Sequence, residues 1–60
     1  MSPTTTTVRI ILLLQRNRRI SVRRLADELG LTIRSAQRWV VRIASEMPVR
    51  LENGVVILDE

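Results

Sequence analysis

Residues 20–44 read ISVRRLADELGLTIRSAQRWVVRIA, and the folding of this stretch sets the frame for the rest of the chain. Val22, Leu25, Ala26 and Leu29 recur at i, i+3, i+4 and i+7, the spacing that lays one side of a helix against a core. Ser21 stands just ahead as an N-cap, its hydroxyl able to accept an orphan backbone N–H, and Gly30 stands just behind, where a helix ends in the left-handed conformation. Thr32 is placed to cap a second segment, in which Ala36, Val40 and Ile43 again share one side. The spacing therefore predicts a helix over 21–29, a break at residues 30–32, and a longer helix over 32–45. That arrangement is the helix-turn-helix spacing, and the second helix is the one expected to meet DNA.

Working outward, the whole chain of 60 residues makes one domain, 1–60, too short to bury much more than about 60% of the surface that its unfolded form exposes. It contains no Cys and no His, which excludes disulfides, thiol catalysis and the usual zinc sites. Asp27 and Glu28 are neighbours on a helix, so their side chains diverge by about 100° and cannot flank one substrate. The sequence thus points to no enzyme, no metal, no cofactor and no small-molecule ligand within the domain. The longest apolar run, residues 10–14, is far too short to span a bilayer, and no charged segment precedes it as in a signal peptide. A cytoplasmic, nucleoid-associated protein is the expectation.

Charge narrows the partner. The net charge is +4, all ten basic residues are Arg, and residues 1–50 hold all of them against Asp27, Glu28 and Glu46. A cationic body with an acidic end suits a polyanion. A membrane surface is disfavoured, because the arginines are not gathered opposite one broad exposed apolar face. Arginine suits bidentate contacts to phosphate and guanine, although a coding bias toward Arg would give the same composition.

Upstream, residues 1–5 lack apolar periodicity and read as a flexible arm, with the Thr run 4–7 supplying a cap for a first helix over 6–16. Five consecutive aliphatics, residues 10–14, cannot all lie on one side of a helix. Ile10, Leu13 and Leu14 make the best inward stripe, which leaves Val8 and Leu12 together on the other side as a candidate homodimer contact. Asn17 is the expected helix stop. Arg18 and Arg19 then lead into Ile20 and Ser21, which read as a short extended piece.

In the 21–29 helix the charges run against the macrodipole. Arg23 and Arg24 occupy the first turn, while Asp27 and Glu28 lie toward the end. A phosphate near the start of this helix would account for the order, with Arg23, Arg24 and backbone N–H groups converging on it. In the 32–45 helix, Arg34, Arg38, Val41 and Ser45 fall roughly opposite Ala36, flanked by Ser35, Gln37 and Arg42, while Trp39 is expected half-buried. The N-terminal half of a recognition helix carries base contacts, so Arg34, Ser35, Gln37 and Arg38 are the candidate readers. Thr32, Arg42 and Arg50 join Arg23 and Arg24 as candidate phosphate contacts.

Residues 48–58, PVRLENGVVIL, carry Asn53-Gly54 between β-favouring runs, the sequence signal of a type I′ hairpin. Pairing outward sets Glu52 opposite Val55, Leu51 opposite Val56, Arg50 opposite Ile57 and Val49 opposite Leu58. Val49, Leu51, Val56 and Leu58 then share an apolar face that closes over the helices. The expected fold is α+β and mainly α: three helices followed by a two-stranded β-hairpin wing, with Asn53 and Gly54 at its tip.

This order resembles the winged helix-turn-helix domains of bacterial transcription regulators, especially the DeoR-like type. The resemblance is carried by Ile20-Ser21-Val22, Leu25-Ala26, Leu29-Gly30-Leu31-Thr32 and Arg34-Ser35-Ala36-Gln37-Arg38. It implies that Thr32, Arg34, Ser35, Gln37 and Arg38 face DNA. It also implies either a DNA-binding domain separated from a sensor or a small stand-alone regulator of the phage or plasmid kind. The expected function is a sequence-specific double-stranded DNA-binding transcriptional regulator, a repressor acting as a homodimer through the major groove. Two alternatives stand beside it. An excisionase-like architectural DNA-binding protein predicts direct repeats in its site, where a dimeric repressor predicts a palindrome. A winged-helix protein-interaction module would carry an acidic or apolar outer face, against which Arg34, Arg38 and Arg42 argue.

Overall fold

The two central helices form where their caps and periodicity place them. In a computed structural model describing residues 2–59, helix α2 spans Val22–Leu29 and helix α3 spans Ile33–Ala44. Ser21 Oγ accepts the Arg24 N–H at 3.1 Å. Gly30 adopts φ 67° at the other end, and the Gly30 and Leu31 N–H groups donate to the Asp27 and Ala26 carbonyls at 3.3 and 2.9 Å. These two reverse bonds close the helix and re-aim the chain within three residues. Thr32 Oγ1 then accepts the Ser35 N–H at 3.1 Å and starts α3.

Helix α1 runs over Pro3–Asn17, longer at its start than the sequence suggests. Ser2 Oγ accepts the Thr5 N–H at 3.2 Å, and Pro3 takes a first-turn position whose fixed φ favours helix entry. Residues 3–5 are therefore helix, and the cap is Ser2 in place of the Thr run. Thr6 and Thr7 donate their hydroxyls back to the Ser2 and Pro3 carbonyls, so the Thr run is accommodated inside the helix. Met1, the remainder of the expected arm, lies outside the described residues. At the other end the positive φ falls on Arg18, at 62°, and not on Asn17. Asn17 is the last helical residue, and its side-chain amide donates to the Leu13 carbonyl at 2.8 Å.

The sheet has three strands where the sequence predicts two. Strand β1 is Arg19–Ser21, β2 is Val49–Glu52 and β3 is Val55–Leu58, in the order β1-β3-β2 with both pairings antiparallel. The β2–β3 register is the predicted one, and Asn53 and Gly54 both take positive φ, as a type I′ turn requires. The added strand β1 covers the open edge of β3, setting Ile20 opposite Val56. Two further bonds fasten that edge: the Val22 N–H donates to the Gly54 carbonyl and the Leu58 N–H to the Arg18 carbonyl, each at 2.9 Å. Ile10, Leu14, Leu25, Val40 and Val56 are fully buried at the centre, so all three helices and the wing share one core. Leu13, Trp39, Met47 and Leu51 pack half-buried around it.

Candidate nucleic-acid interface

Helix α3 contains no acidic residue, and its outer side is built from two adjacent rows. Arg34, Arg38 and Arg42 succeed one another at i+4 spacing, all exposed; beside them run Ile33, Gln37 and Val41, also exposed. Among the described residues no carboxylate lies within ion-pair distance of Arg34, Arg38 or Arg42. The Arg42 guanidinium sits over the Trp39 ring, 5.4 Å from its centre, which holds it at the edge of the face. Trp39 is half-buried, as the helical angles predict, and shares a shallow cleft with Pro3, Thr6 and the residues of the α2–α3 turn.

The sequence-predicted readers Arg34, Gln37 and Arg38 do share this face, and with Val41 they line one shallow depression. Ser35 is set to the side, in a cleft with Arg38, Trp39 and Arg42. Thr32 is exposed, but its hydroxyl is occupied: besides capping, it donates to Ser35 Oγ at 3.0 Å. Within this pair Ser35 is the hydroxyl left with a proton to donate.

At the start of α2, Arg23 and Arg24 are both exposed, and neither closes the i, i+4 ion pair with Asp27 or Glu28 that its spacing permits. The idea that backbone N–H groups of this turn are open to a phosphate needs correcting. The Val22 N–H is taken by the Gly54 carbonyl and the Arg24 N–H by Ser21 Oγ. What the helix start offers is chiefly two guanidinium groups. Its opposite end acquires the basic partner that its own sequence lacks: Arg9 of α1 donates from Nη2 to the Glu28 carbonyl at 3.1 Å. That contact joins residues 19 apart, and no local pattern signals it.

The wing presents its charge differently. Arg50 is gripped by two carboxylates, Glu52 at 2.6 Å and Asp59 at 2.7 Å. Its charge is met within the protein, which weakens the case for it as a phosphate contact. The wing tip, Asn53 and Gly54, is exposed but fixed to the start of α2 through the Gly54 carbonyl, beside Arg23 and Arg24. On the far element, Val8 and Leu12 of α1 are 49% and 58% exposed, in line with the side to which the sequence assigns them.

No helix among the described residues is long and apolar enough to cross a membrane. No curated protein matches the chain at a significant level. A protein family described as winged helix-turn-helix DNA-binding matches residues 3–38, from the beginning of α1 to the middle of α3. The matched part is more than half of the chain, and the hairpin that completes the architecture follows directly after α3. Three helices, the tight turn between the last two and the appended wing agree with that match, and the chain belongs to the winged helix-turn-helix DNA-binding family.

Proposed function

We propose that this protein is a sequence-specific transcriptional regulator of the DeoR-like type, a repressor that binds double-stranded DNA as a homodimer through the major groove. The observation that carries this reading is the outer side of α3, where three exposed arginines stand in a row with no acid in ion-pair range. Water solvates exposed arginines one by one, whereas a polyanion lying along the helix gives the whole row a counter-charge. Arg34, Ser35, Gln37 and Arg38 read base edges, Arg to guanine O6/N7 and Gln to adenine N6/N7. Arg23, Arg24 and Arg42 hold phosphates and fix the register, and Thr32 joins them by turning its hydroxyl proton from Ser35 to a phosphate oxygen. The Val8–Leu12 side of α1 supplies the contact between protomers, and the protein works in the cytoplasm on the nucleoid.

Selection of bound sequences from a random duplex pool tests this. An enriched palindrome with half-sites about one helical turn apart, 10–10.5 bp or a multiple, is the expected result. Enriched direct repeats would replace the repressor with the architectural, DNA-bending alternative, and a pool with no enrichment would overturn sequence-specific binding.

A further inference from the structure

Among the described residues, large apolar side chains stand exposed in two places only: Val8 and Leu12 on α1, and Ile33 and Val41 on α3. Single exposed aliphatics are ordinary on a protein surface. The α3 pair is singled out by position, because Ile33 and Val41, 41% and 67% exposed, flank Gln37 in one i+4 row beside the arginine row. Neither serves the core, which takes Ala36, Val40 and Ile43 from this helix. An aliphatic side chain on a face that is otherwise guanidinium and amide finds little use in water, but the floor of the major groove holds one matching apolar group, the C5-methyl of thymine.

Resting on the DNA-binding reading above, we propose that Val41 and Ile33 are specificity-determining residues that recognise thymine methyl groups, with the intervening Gln37 reading an adenine between them. The α3 face then selects A·T pairs along its Ile33–Gln37–Val41 row and guanine or phosphate along its arginine row. Val41 lies eight positions after Ile33, about 12 Å along a helix axis. Base pairs stack about 3.4 Å apart, far less than that separation, so the two side chains address different pairs.

Uracil differs from thymine only by that methyl, which makes the experiment direct. The duplex recovered from pool selection is resynthesised with each thymine replaced singly by uracil, and binding is compared for the wild-type protein, Val41→Ala and Ile33→Ala. Both side chains are exposed, and melting curves of the two variants verify that they fold. At two distinct positions per half-site, uracil should weaken wild-type binding by about fourfold, the worth of one buried methyl. In Val41→Ala the thymine/uracil ratio at one of these positions should fall to about one, and in Ile33→Ala the ratio at the other. An enriched site in which no uracil matters, or in which the ratios persist unchanged in both variants, overturns the inference and leaves sequence-specific binding intact. A pool with no enrichment overturns both together.

Discussion

Arg38 and Arg50 are the same residue type on the same small domain, both exposed, and the fold treats them oppositely. Arg38 projects from a helix without acids, while Arg50 lies between Glu52 and Asp59 at 2.6 and 2.7 Å. Local geometry makes the difference. Alternation along β2 places Arg50 and Glu52 on one side of the sheet, and the strand pairing brings Asp59 alongside. On α3 the i+4 repeat lines arginine behind arginine and leaves the row without a counter-charge. A surface count of basic residues would weigh Arg38 and Arg50 alike; their neighbours make one available to a phosphate or a base and the other largely self-neutralised.

Replacing the α3 arginines tests the first half of this contrast most severely. Arg34→Ala or Arg38→Ala should each lower affinity for the selected site by about 5- to 150-fold, the equivalent of 1–3 kcal/mol for a bidentate base contact, and relax preference at particular base pairs. A loss equal on selected and random duplex would remove that residue from the readers. Arg42→Ala should weaken all sequences alike and flatten the salt dependence of binding by about one unit, as should Arg23→Ala or Arg24→Ala at the start of α2. Titrations across a salt series measure this, and an unchanged slope in all three variants would place the phosphate contacts elsewhere.

The second half of the contrast predicts smaller effects. Freeing Arg50 with the double change Glu52→Gln and Asp59→Asn should steepen the salt dependence by up to about one unit, if the two carboxylates are what keep it from DNA. The same series in wild-type background should show Arg50→Ala binding DNA within about twofold of the unaltered protein. Its stability should change by no more than about 1 kcal/mol, the worth of an exposed ion pair, measurable by urea unfolding. A large loss of affinity in Arg50→Ala would mean that the pairing opens on DNA and that the wing takes part in binding.

Much of the fold is legible in the chain because its signals are local. Ser21, Gly30 and Thr32 mark helix ends through hydrogen bonds and dihedral angles confined to a few residues, and Asn53-Gly54 fixes a turn and with it the β2–β3 register. The errors fall where local signals compete or vanish. The Thr run masks the helix start at Ser2 and Pro3, because β-branched residues have weak helix propensity while the cap and the proline override it. Asn17 has the side chain that tolerates a left-handed backbone, yet the positive φ falls one residue later, on Arg18, with ψ −42° outside the left-handed helical region. Among the site residues, the angular position of Arg34, Gln37 and Arg38 is readable from the helical period, whereas the pairing of Arg50 with Asp59, nine residues on, follows only once the β2–β3 register is in place.

By itself, then, the sequence determines three amphipathic helices with a tight turn before the last, a hairpin of defined register, and a basic outer side to α3. Each follows from periods of 3.6 or 2 and from caps, all set within a few residues. Only the tertiary structure makes a strand of Arg19–Ser21, since three residues have no stability as a strand until the β3 edge supplies their hydrogen bonds. Only the tertiary structure joins Arg9 to the end of α2, closes the start of α2 with the Gly54 carbonyl, and leaves Ile33 in the open at the margin of the α3 face. Those outcomes depend on which surfaces meet when the chain collapses, and contacts between residues distant in sequence are what the core, and not the local pattern, selects.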